Sequence, residues 1–117
     1  MSETTLHEPT GLAALQLPQE LTIYAVGELH PQWLAWLAEA SARGREEAEV
    51  GAQAVDQVDA AGLQLLVSLQ RSLADRGVRM RLTEPSEALR QGCRALGLCE
   101  WLAEGTASAA LAEETTA

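Results

Sequence analysis

The amino-acid sequence predicts an α/β domain, a sheet packed by helices, on three observations. A run of strand-forming residues, Leu21-Thr22-Ile23-Tyr24-Ala25-Val26, is bounded by Pro18 and Gly27. A long amphipathic helix over 60–76 starts behind Asp59 and stops at Gly77. After it, Val78 to Thr83 alternates apolar and basic residues, as a half-buried strand near an edge would. Strands that alternate with helices are joined by βαβ crossovers onto one sheet.

Composition bounds the rest. The 117 residues make one domain with little left over. Hydrophobic residues are 47% of the chain, but there is no Phe, three Trp and one Tyr, so the core is expected to be Leu, Val and Ala. A net charge of −9 argues against nucleic acid and anionic membrane surfaces as partners, and leaves protein partners open. Cys93 and Cys99 form neither a CxxC nor a Cys/His cluster and read as free thiols of a reducing cytosol. The N-terminus lacks a basic stretch followed by an apolar one, and no apolar run approaches the ~20 residues that span a bilayer. A cytoplasmic protein without membrane insertion is expected.

Taken in order, residues 1–10 form a polar leader, 11–102 the domain, and 103–117 a Thr/Ala/Glu-rich acidic tail expected to be disordered or frayed. Leu12, Leu15 and Leu17 suggest a short first strand, and Pro18-Gln19-Glu20 a turn. Leu21 to Val26 is the clearest strand; with the first it could add an antiparallel edge. Pro31 suits the first turn of a helix, with Leu34, Leu37, Ala38 and Ser41 at helical spacing, Trp33, Trp36 and Ala40 widening that face, and Gly44 ending it. Ala48 to Ala52 reads as a strand of weak propensity, with Gly51 inside it.

In the helix after Asp59, a core stripe of Leu63, Leu66, Val67, Leu73 and Ala74 is expected, with Gln70 among them and Leu65 and Leu69 at its edge. Gln64, Ser68, Arg71, Ser72 and Asp75 lie opposite. Glu84-Pro85-Ser86 turns into a last helix with Ser86 as N-cap, Leu89, Cys93 and Leu96 facing the core, and Gly97 at its end. Leu98 to Leu102 closes the domain as a turn or strand.

Little here supports an enzyme. There is no GxxxxGK[ST] loop, no GxGxxG after a strand and no GxSxG elbow; His7 and His30 sit in no ligand pattern, so no metal and no cofactor are expected. One place has chemical potential. The amides of Ala60, Ala61 and Gly62 leave a helix N-terminus, where an anion would be stabilised and where a hydroxyl would be a well-placed phosphoacceptor. Both candidate positions, 60 and 61, hold alanine.

The run Val58-Asp59-Ala60-Ala61-Gly62-Leu63, then a helix, Gly77, the strand to Thr83, Pro85 and Leu96-Gly97-Leu98, resembles the STAS domain over roughly Leu12 to Leu102. That family includes anti-sigma factor antagonists and the small STAS subunit of a phospholipid ABC transporter. The resemblance implies a mixed central sheet of about four to five strands, helices mainly on one face, and non-catalytic binding of a protein at the start of the helix after Asp59. It further implies that Ala60 stands where phosphorylated members keep a Ser or Thr. Gly51-Ala52-Gln53 replaces a common Asp-Leu-Ser, which predicts a weaker strand there.

The expected role is a constitutive interaction module of bacterial signalling. Its docking surface would comprise Asp59, Ala60, Ala61, Gly62, Gln64, Ser68 and Arg71, and its partner an anti-sigma kinase or a chemotaxis-type sensor kinase complex. The other expectation is an accessory subunit bound to the ATPase of a lipid ABC transporter. Purine nucleotides, bound by some relatives, are disfavoured by the negative charge and the lack of a basic clamp.

Overall fold

The structure, a computed structural model, describes residues 14–106. The expected leader, His7 and residues 107–117 of the expected tail lie outside the described residues. The elements are β1 (Leu15–Gln16), β2 (Glu20–Leu21), α1 (Ile23–Ala42), β3 (Glu47–Gly51), β4 (Gln57–Val58), α2 (Ala60–Asp75), β5 (Arg79–Thr83) and α3 (Glu87–Ala95), followed by α4 over residues 99–106. The α/β class and the alternation of strands and helices are those expected.

The sheets differ in detail. β3 lies between β1 and β5, while β2 pairs with β4 in a separate two-stranded sheet. Every pairing among the described residues is parallel, so the expected antiparallel edge is replaced, and the larger sheet has three strands rather than four or five. The reason lies in the residues between β1 and β2. Leu17 donates its amide to the Gly51 carbonyl (2.9 Å), and the Gln19 carbonyl accepts from Asp56 and Gln57 (2.8 and 3.0 Å). Both groups are taken by other strands, so the connection passes from beside β3 to beside β4 and cannot close as a hairpin.

β3 is stronger than its propensity. Its residues Glu47, Ala48, Glu49, Val50 and Gly51 stand opposite Arg79, Met80, Arg81, Leu82 and Thr83 of β5. Ala48, Val50, Met80 and Leu82 turn one face into the core. The other face carries a charge ladder: Arg79 reaches Glu47 (3.2 Å), and Arg81 reaches Glu49 (3.2 Å) and Glu47 (3.7 Å). A slip of one residue would put acids and arginines into the core, so the two alternating patterns fix the register together. Gly51 does not end the pairing: its carbonyl is bonded to Leu17, and the next amide, of Ala52, reaches Thr83 (2.9 Å).

The largest correction is at Leu21 to Val26. Only Leu21 is in a strand; Ile23 to Val26 open α1, which runs through Gly27 and Pro31 to Ala42. Thr22, in extended backbone, caps α1 by accepting the amide of Tyr24 (3.3 Å), and a carboxylate from far along the chain takes the amide of Ile23. Propensity is a weak prior, and capping plus the burial of Leu29, Trp33, Leu37 and Ala40 outweigh it. Ile23 and Tyr24, expected in the sheet, are 57% and 88% exposed. The buried line of α1 is also rotated from the expected one: Leu34, Ala38 and Ser41 are exposed.

α1 packs along α2, and α2 packs on β5. On α2 the buried residues are Gly62, Leu63, Leu66, Leu69 and Leu73; Ala74, expected in the stripe, is exposed, and Val67 is half-buried. The stripe turns towards Leu69 because α1 covers that flank. Gly44, Gly77 and Gly97 end α1, α2 and α3 with φ of 66°, 75° and 73°, backbone that glycine adopts at little cost. Ser86 caps α3 through the amide of Leu89 (3.1 Å), and Leu89 and Cys93 are buried. Leu96, expected in the core, is 47% exposed, because α3 ends beneath it and its position already faces outward. The closing segment is helical and continues to residue 106, past the expected end of the domain at Leu102.

Candidate functional site

The site is built at the junction of α1 and α2. Asp59, in extended backbone before α2, uses both carboxylate oxygens. Oδ1 accepts the amide of Gly62 (2.9 Å), and Oδ2 accepts the amide of Ile23 (2.9 Å), 36 residues away. One side chain thus caps two helices. These bonds hold its pKa below the ordinary 3.8, the amide of Ile23 first, then Gly62, against a smaller opposing effect of desolvation, with Ala61 adding to the lowering. The anion site expected at the start of α2 is therefore filled by the protein's own carboxylate.

Gly62 has a reason that local sequence does not show. A methyl group built there would overlap the carbonyl oxygen of Leu21. That same carbonyl accepts the Asp59 amide (3.2 Å), so the end of β2 is pressed directly onto the first turn of α2. Gly62 is buried and offers a partner no surface; its role is to let the chains approach. Ala60 is exposed and Ala61 partly so.

From Ala60 an open groove of about 470 Å³ runs along α2. One wall is Ala60, Gln64, Val67, Ser68 and Arg71; Leu96 and Leu98 form the other, with Leu63 below. Four residues expected at a docking surface, Ala60, Gln64, Ser68 and Arg71, are brought together here, and the last three are exposed. Asp59, Ala61 and Gly62 shape the helix start but do not line the groove. Sequence reasoning misses the second wall, because the helical spacing of α3 puts Leu96 in the core. It also misses Ile23 and Tyr24 beside Asp59, because they read as strand. The doublet of leucines around Gly97 was the available signal for the wall.

Other features lie apart from this groove. A smaller depression of about 90 Å³ separates α1 from α2 and includes His30, Leu34 and Ser68, so Ser68 borders both. Another of about 250 Å³ lies between β5 and α4. Cys93 is buried, and burial pushes its thiol up; Cys99 is exposed, and neither is in a disulfide. Among the described residues no group of three or more His, Cys, Asp or Glu could hold a metal ion, and no helix is long and apolar enough to cross a membrane.

Compared with known proteins, the chain matches neither a curated protein nor a solved structure. A family model does match, over residues 6–104, under the description "Mlab, STAS domain". The matched span takes in both capped helix starts, the parallel strands and both walls of the groove, and on this ground the chain belongs to the STAS domain family.

Proposed function

We propose that this is a non-enzymatic docking module that captures a protein partner along the α2 groove, in a bacterial signalling assembly such as an anti-sigma or sensor kinase complex. The observation that carries the reading is the convergence of Ala60, Gln64, Ser68 and Arg71 on one open groove whose far wall is apolar. Apolar surface with a few polar groups is what a protein contact needs, whereas the groove holds no nucleophile–base pair. At its head stands Ala60, which has no oxygen to phosphorylate, so docking is constitutive with respect to that position.

The double variant Gln64→Glu, Ser68→Glu tests the surface. Both residues are exposed, so the fold should persist, read as an unchanged thermal melt. Capture of the native partner should fall at least about tenfold, the effect of placing like charges or unpaired acids in a contact worth ~1.4 kcal/mol or more. Undiminished capture would remove the groove from the interface.

The description of the matched family, "Mlab, STAS domain", favours a second reading, an accessory subunit docked on the ATPase of a lipid ABC transporter. The same groove would serve. Co-purification of an ATPase with the native protein, lost in the double variant, would select this reading over the kinase one.

A further inference from the structure

We infer that the segment seated in the α2 groove is an amphipathic helix carrying an acidic side chain against Arg71. The inference rests on the docking role proposed above and adds the chemistry of the partner. Among the described residues, Arg71 is the one charged residue lining the groove. Its side chain is exposed and makes no hydrogen bond or ion pair among the described residues, Asp75 one turn away included. Residues 60–98 hold six of the chain's eight basic side chains against three acids, but Arg79 and Arg81 are paired with Glu47 and Glu49 on the outer sheet face, so the charge presented to the groove is that of Arg71. An unpaired positive side chain in an otherwise uncharged groove attracts acidic segments and repels basic ones.

Shape selects a helix over an extended peptide. Strand addition needs a sheet edge with free amides and carbonyls. Here one wall is the side chains of α2 and the other is Leu96 and Leu98 at the end of α3. Between Ala60 and Arg71 the α2 wall runs about 16 Å at 1.5 Å per residue, the length of three helical turns. A helix with apolar residues at i, i+3 or i+4 and i+7 would lie on Leu96 and Leu98 over that length. The bond from Ile23 to Asp59 sets exposed Ile23 and its neighbour Tyr24 near the start of α2, outside the lining of the groove. Arg is, with Trp and Tyr, among the side chains enriched at interface hot spots, and the groove offers Arg71.

A photo-crosslinking amino acid at position 68, and separately at position 24, in the full chain expressed in its own cells tests this, with the crosslinked peptide sequenced by mass spectrometry. The expected product is a segment with helical apolar spacing and, for the crosslink from position 68, an Asp or Glu within one turn of it. Its yield should drop at least about tenfold in an Arg71→Glu background and return when the mapped acid is changed to Arg. A mapped segment that is basic or lacks helical spacing, or a yield indifferent to Arg71→Glu, would overturn the acidic-helix inference while leaving the groove as the docking site. Partner capture that persists with no crosslink from position 68 would overturn the groove itself.

Discussion

The two long helices start within hydrogen-bonding distance of one carboxylate, yet they are very unequal to a reader of the sequence. α2 begins immediately after its own cap, Asp59, and its start and end are both written within twenty residues. α1 begins at Thr22, and half of its capping comes from Asp59, 36 positions later. A cap that is local in sequence can be read there. A cap supplied across the fold cannot, and strand propensity fills the gap.

If Gly62 is what allows the two starts to meet, Gly62→Ala should be the most damaging single change. Alanine normally stabilises a helix by about 1 kcal/mol over glycine. Here the methyl group would overlap the Leu21 carbonyl, so a net loss of about 3 kcal/mol or more is expected, at or beyond ordinary overpacking. Chemical denaturation measures it, and a neutral or stabilising outcome would show that β2 and α2 are not pressed together in solution.

Asp59→Asn should have an intermediate effect and should unite the two helices. Asparagine still caps, but loses the charge. Hydrogen exchange should speed up at both Ile23 and Gly62; acceleration at Gly62 alone would return α1 to an independent cap at Thr22. The pH dependence has a fixed sign. Because the folded pKa is held below 3.8, Asp59 contributes its full stabilisation above about that value and loses it as the pH falls through the folded pKa. Stability of the wild type should therefore drop below pH ~4 more steeply than that of Asp59→Asn.

The smallest effect is expected at the charge ladder. Arg81→Gln and Glu49→Gln, combined in a double-mutant cycle, should give a coupling of about 0.2–1 kcal/mol that weakens with salt, since both side chains are partly exposed. The ladder contributes register more than stability. A coupling of several kcal/mol would mean that the outer sheet face is far drier than its exposure indicates.

Much of the framework was legible because its signals are local. Asp59 and Ser86 cap the helices they precede, Gly44, Gly77 and Gly97 end theirs, and Arg79 and Arg81 alternate with Met80 and Leu82. The polar face of α2 was also legible, since a single helix defines its own sides, and Gln64, Ser68 and Arg71 fell on it. The α1 flank was not, because which side of Leu69 is covered depends on a neighbour.

By itself, then, the sequence determined the α/β class, the position and ends of α2 and α3, the absence of a hydroxyl at position 60, and the family motif around Asp59. Tertiary structure alone decided that residues 23–26 are helical, that every described strand pairing is parallel, that Leu96 is a wall rather than core, and that Gly62 must be glycine. The first set rests on interactions between residues a few positions apart, which any window of sequence contains. The second rests on groups such as the Leu21 carbonyl and the Asp59 carboxylate meeting partners dozens of residues away, and only the packed chain brings them together.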